Sequence, residues 1–120
     1  VRFEVTEADT AEALGSGDLP VLGTPRLIAW LEAATVACAA PSLAAGQTTV
    51  GTAIHVRHRR PTPVGGEVEV FAEVRESTVE GRMSFTVRAV DGTGQAVATG
   101  EIERAVVDGE RFLGSVPASR

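Results

Sequence analysis

The hydrophobic pattern of this chain changes period once, and the change separates a helical part from a strand-forming part. From Leu27 to Ala40 the residues are almost all apolar, interrupted by one formal charge, Glu32. Thr24-Pro25 ahead of the run reads as a helix start, with a hydroxyl at the N-cap and proline at the first helical position, and Pro41 ends the helix after about Ala40. From Val50 onward the period is two. Val50, Thr52, Ile54, Val56 and His58 form the more apolar face of one strand, and Val68, Val70, Ala72 and Val74 that of the next. Met83, Phe85, Val87 and Ala89 follow, and then Ala96, Ala98, Ile102 and Val106, a row that also contains Arg104. Val1, Phe3 and Val5 mark a first strand at the start of the chain.

The links between these strands, Gly65-Gly66, Glu80-Gly81 and Asp91-Gly92-Thr93-Gly94, suit chain reversal and hence antiparallel neighbours. Ala11 to Gly23 carries enough glycine and proline to read as a loop with one short helical turn, a candidate lid. The order of elements predicts an α+β domain in which an antiparallel sheet of about five strands wraps one long central helix. A single domain is expected over residues 1–120, with the core at about 1–107 and a tail at 108–120.

Composition sharpens this picture. With one Trp, four Phe and no Tyr, the core must be built from small aliphatic side chains, which implies close packing of helix on sheet. A formal charge of -5 argues against a nucleic-acid partner. The Arg57-His58-Arg59-Arg60 cluster is the local exception, and could meet phosphates on a small molecule or simply be a solvated strand end. Cys38 has no partner for a disulfide and reads as a small buried hydrophobe. The first residues show no charged-then-apolar leader, and the apolar run around Glu32 falls short of a bilayer span by roughly six residues. The expectation is a soluble, cytoplasmic protein with no membrane partner. His55 and His58 point to opposite faces of a strand, so no metal is expected.

Packing the helix on the apolar face of the sheet turns Glu32, His58 and Arg104 toward one interior. A carboxylate there must be paired, hydrogen-bonded or used in chemistry, because burying it unpaired costs several kcal/mol. Each residue also has a purely structural role open to it: Thr24 as a cap, Glu32 as the partner of Arg104 or Arg26, His58 as a strand-end histidine in solvent, and Arg104 as half of a buried pair. Thr24 lies two turns before Glu32, and the free N–H groups of that helix start could hold a developing oxyanion.

Thr24, the eight-residue step to Glu32, the string Val50-Gly51-Thr52-Ala53-Ile54-His55-Val56-Arg57-His58 with Thr62-Pro63, and Glu103-Arg104-Ala105-Val106 together resemble the hot-dog-fold acyl-CoA thioesterases, closest to the fluoroacetyl-CoA thioesterase type. The resemblance runs from about Val21 to Val107. It implies a hot-dog fold, a catalytic set of Thr24, Glu32 and His58, Gly51 lining the site, Arg104 supporting it, and active sites at a dimer interface. It also implies an acyl-CoA substrate, with coenzyme A entering only as part of that substrate and no separate cofactor. Arg57, Arg59 and Arg60 are the candidates for the CoA phosphates.

Two departures bear on the acyl group. The fluoroacetyl-selective type closes its pocket with aromatic residues before the helix, and Ala11 to Gly23 has none; an apolar pocket position of that type is Arg26 here. A larger, polar or anionic acyl group would suit Arg26 better. The expected activity is hydrolysis of an acyl thioester to acid and thiol by a homodimer or tetramer. Two alternatives stand beside it: an acyl-CoA-binding module that does not catalyse, and a hot-dog hydratase or dehydratase, for which no aspartate accompanies His58.

Overall fold

In the computed structural model, which describes residues 1–119, the alternating segments form a single five-stranded sheet. Its strands are β1 (Arg2–Glu4), β2 (Gln47–His58), β3 (Glu67–Ser77), β4 (Arg82–Asp91) and β5 (Ala96–Asp108), in the order β1-β3-β4-β5-β2 with every neighbouring pair antiparallel. Before β2 come a single helical turn, α1 (Ala11–Leu14), and the long helix α2 (Thr24–Ala39); a short helix, α3 (Gly109–Gly114), follows β5. α2 buries Leu27, Trp30, Leu31, Thr35 and Ala39, a stripe at three- and four-residue steps, into a core shared with Val68, Phe85, Val87 and Ile102. Burying one such Leu or Phe side chain stabilises by about 1.5–3 kcal/mol, so this stripe is what holds the helix in the concave face of the sheet. Trp30 also stacks on Phe3 of β1, with ring centroids 4.5 Å apart. The result is the hot-dog arrangement. Among the described residues no helix is long and apolar enough to cross a membrane.

Where the structure departs from simple alternation, β-bulges are the cause. The β2–β5 register skips a residue between Gly51 and Ala53. Ile54, Val56 and His58 face the helix as expected, opposite Ile102, Gly100 and Ala98, but before the bulge the inward residues are Thr49 and Gly51, opposite Val106 and Arg104. Val50 and Thr52 therefore leave the helix-facing row to which strict alternation assigned them. A second irregularity, between Ala89 and Val90, puts Val97 in the core and leaves Ala96 exposed.

The helix start also differs from expectation. Gly23, not Thr24, is the N-cap, and its carbonyl accepts from both Arg26 N and Leu27 N at 3.1 Å. Thr24 is the first helical residue, and its hydroxyl is free for another partner. The segment expected to be a loop is tied down along its length. Ala11 N donates to Val21 O, Gly23 N to Asp9 O and Leu22 N to Thr62 O, each at 2.8 Å, and Leu22 is buried. Residues 109–114 of the expected tail form α3, capped by Asp108 Oδ1, which accepts from Arg111 N at 2.9 Å.

Candidate active site

α2 presents polar side chains at two levels. At its first turn, Thr24 Oγ1 lies 2.8 Å from His58 Nδ1, at the end of β2. Two turns on, Glu32 Oε2 accepts from Arg104 Nη1 at 3.0 Å. An eight-residue step along a helix is about 12 Å, so these are separate pairs rather than one cluster. Within one protomer, no hydrogen bond among the described residues joins Glu32 to His58 or Thr24.

The Glu32 level is closely packed. Arg104 is 6% exposed, and such a guanidinium is stable only when its charge and its N–H groups are met. Thr49 meets two of them: its hydroxyl accepts from Nε at 2.8 Å and its carbonyl from Nη2 at 3.0 Å. Gly51 stands opposite Arg104 in the sheet, and a Cβ built there would fall 2.6 Å from Glu32 Oε2. A side chain there would push the flexible end of Glu32 aside, so glycine leaves the carboxylate its place against the guanidinium. The Glu32 side chain is 33% exposed and, among the described residues, only its Oε2 is hydrogen-bonded, which leaves the second oxygen available.

The His58 level is more open. Val21, Thr24, His58, Arg59, Arg60 and Pro61 line a cleft of about 280 Å³, and no carboxylate is among them. A wider groove of about 750 Å³ adjoins it, sharing Arg59 and Arg60 and reaching Gln95 and Thr99. Desolvation by burial lowers the His58 pKa, opposed more weakly by the Arg60 backbone, so the ring is neutral at pH 7. Its Nε2 is buried with no hydrogen-bond partner among the described residues. A neutral imidazole with one nitrogen on a hydroxyl and the other unengaged is equipped to take or give a proton.

The remaining sequence candidates fall in different places. Arg59 and Arg60 line both openings, whereas Arg57 is exposed, pairs in register with Thr99 and lines neither. Arg26 lines neither as well; its Nε is 3.0 Å from Asp9 Oδ1, so its charge is met within the chain. Asp9 also accepts at Oδ2 from the backbone and hydroxyl of Thr6, at 2.8 and 2.9 Å. Sequence reasoning missed Thr49 and Asp9. Thr49 precedes Val50, where the legible alternation begins, and only the bulge turns it inward; nothing local marks Asp9 as a partner of Arg26.

The family profile described as fluoroacetyl-CoA-specific thioesterase matches residues 5–110. The chain belongs to this family. It is 41% identical, over 97 residues, to the fluoroacetyl-CoA thioesterase of Streptantibioticus cattleyicolor, an alignment covering 80% of this chain and 68% of that one. Among solved structures, a mutant of the fluoroacetyl-CoA-specific thioesterase FlK in complex with fluoroacetate and CoA superposes with a TM-score of 0.86 at 34% identity, covering 95% of this chain and 92% of the other. A Thermus thermophilus thioesterase superfamily member shares the fold, with a TM-score of 0.86 at 22% identity over 95% of this chain and 83% of that one.

Proposed function

We propose that this protein hydrolyses acyl-CoA thioesters to a free acid and coenzyme A, with Glu32, His58 and Thr24 as the reacting set. Family membership supports the reaction class. The observation that carries the site is the state of Glu32: a carboxylate held through one oxygen by Arg104, with no hydrogen bond to the other oxygen among the described residues and a side chain 33% exposed. That oxygen either draws a proton from water as it attacks the thioester carbon, or attacks the carbon itself to form a mixed anhydride that water then cleaves. In both routes the C–S bond breaks, a C–O bond forms, and one proton of the water ends on the departing thiolate; neutral His58 takes that proton from the water or from Glu32 and passes it on.

Two copies of the chain complete the site. β2 is a twelve-residue strand with an unpaired outer edge, and Ile54 on it is 38% exposed. Long apolar edges invite pairing with another strand. If two β2 edges join antiparallel about a twofold axis at His55, Ile54 opposes Val56 on the helix-facing side, and the bulge that skips Thr52 brings His58 of each protomer opposite Gly51 of the partner subunit, beside which Glu32 lies. Such a homodimer supplies the proximity of His58 to Glu32 that one protomer lacks. Arg59 and Arg60 would meet the phosphates of CoA, a reading supported by their lining both openings, and the absence of aromatic residues from Ala11 to Gly23 suits an acyl group not restricted to fluoroacetyl.

The 2.8 Å contact of Thr24 with His58 favours a second reading, in which Thr24 is the nucleophile. His58 Nδ1 would take the hydroxyl proton as Oγ1 attacks the thioester carbon, return it to the thiolate, and leave an acyl-Thr24 ester for water to hydrolyse. The test is thiol release from acetyl-, fluoroacetyl-, malonyl-, phenylacetyl- and medium-chain acyl-CoA, with mass analysis of rapidly quenched enzyme. An acyl increment on the peptide holding Thr24 supports the second reading. Turnover with no such increment supports Glu32, and binding without turnover across the panel removes both.

A further inference from the structure

We infer that Thr49 is a positioning residue for this reaction, acting through Arg104 on Glu32. The inference rests on the reading of Glu32 as a reacting group. A guanidinium carries five N–H donors in one plane, and it cannot act by giving up a proton. Thr49 alone takes two of the donors, Nε–H on its hydroxyl and one Nη2–H on its carbonyl, at 2.8 and 3.0 Å. Two bonds from one residue to one edge of the plane fix its rotation, and the rotation directs Nη1 at Glu32 Oε2. Thr49 is 8% exposed and Arg104 6%, so solvent has little access to replace a lost acceptor.

The arrangement depends on the bulge after Gly51. Without it, the inward phase of β2 would carry Val50 and Thr52 in place of Thr49 and Gly51, and the guanidinium would lose a grip on one side and gain a side chain in the path of Glu32 on the other. Thr49 holds the arginine and Gly51 leaves space for the carboxylate. Together they set which oxygen of Glu32 is bound and which remains free.

The experiment compares Thr49→Val, which keeps the shape and the carbonyl but removes the hydroxyl that holds Nε, with Thr49→Ser, which restores it, measuring kcat and KM separately and checking the fold by circular dichroism. Positioning predicts that Thr49→Val lowers kcat about tenfold or more with KM within about twofold, and that Thr49→Ser stays within about threefold of wild type. A folded Thr49→Val with wild-type kcat, a loss confined to KM, or a Thr49→Ser as impaired as the valine variant would each overturn the inference. If the valine variant does not fold, Thr49→Ala is held to the same thresholds. Glu32→Gln is assayed in parallel. Retained turnover there defeats the reading of Glu32 and the inference with it, whereas lost turnover with Thr49→Val unaffected defeats the inference alone.

Discussion

At its first turn α2 offers Thr24 to His58, and two turns later it offers Glu32 to Arg104; the surroundings of the two pairs differ in kind. His58 lines an open cleft, is kept neutral by desolvation, and has one ring nitrogen without a partner. Arg104 is buried, permanently charged and bound on three of its nitrogens. One end is suited to moving a proton, the other to holding a negative charge in a set direction. The proposed reaction uses both, and the roughly 12 Å of helix between them is why the proposal brings in a second copy of the chain.

The largest expected effects test whether both ends serve one reaction. Glu32→Gln and His58→Ala should each lower kcat/KM by at least about a hundredfold while remaining folded, measured by thiol release. Were Glu32 only the structural partner of Arg104, as in a module that binds acyl-CoA without cleaving it, Glu32→Gln would leave CoA binding intact and chiefly lower the melting temperature. Gly51→Ala probes the buried end next. Its Cβ would meet Glu32 Oε2 at 2.6 Å, so the carboxylate must move; a drop in kcat of about tenfold and a stability loss of about 1–3 kcal/mol are expected from activity and denaturant titration.

The pH dependence sharpens the open end. A base whose pKa lies below the ordinary 6.5 keeps its neutral form as the pH falls, so the acid limb of kcat/KM assigned to His58 should lie below pH 6.5. The same shift has a stability counterpart with a definite sign. The unfolded chain binds a proton on His58 at a higher pH than the folded one, so this contribution is lost as pH falls from 6.5 through the folded pKa; His58→Gln should flatten that part of the stability profile. A limb at or above 6.5 would show that His58 is not desolvated in the working enzyme.

The smallest effect lies outside both pairs. The Arg26–Asp9 ion pair ties the segment before α2 to its first turn, with the arginine side chain 35% exposed and the aspartate 13%. Arg26→Met should cost about 1 kcal/mol, or roughly 4 °C in melting temperature, and leave the ratio of carboxylated to neutral acyl-CoA turnover unchanged. A selective loss of malonyl-CoA turnover would instead return Arg26 to the acyl pocket.

The chain alone reveals the elements that bury one face, which are the α2 stripe from Leu27 to Ala39 and the rows Val68 to Ala72 and Met83 to Ala89, and the antiparallel pairs β3–β4 and β4–β5; the expected pairing across Gly65-Gly66 is not formed, because β2 pairs with β5 and β3 with β1. Burial on a single face imprints a period of 3.6 or 2, and that period can be read without knowing what lies opposite. It also turned Glu32, His58 and Arg104 toward one interior, and the family resemblance made a catalytic set of Thr24, Glu32 and His58. Tertiary structure decided the rest. The bulge after Gly51 reset the phase of β2 and brought Thr49 inward, a change that depends on pairing with β5 and leaves no local trace. Likewise Thr24 looked like a cap because capping is local, yet its hydroxyl meets a histidine thirty-four residues away while the Gly23 carbonyl receives the first helical N–H groups. Arg26 found Asp9 for the same reason: a sequence reports which groups need partners, but which partner each one meets is set only when distant segments are packed together.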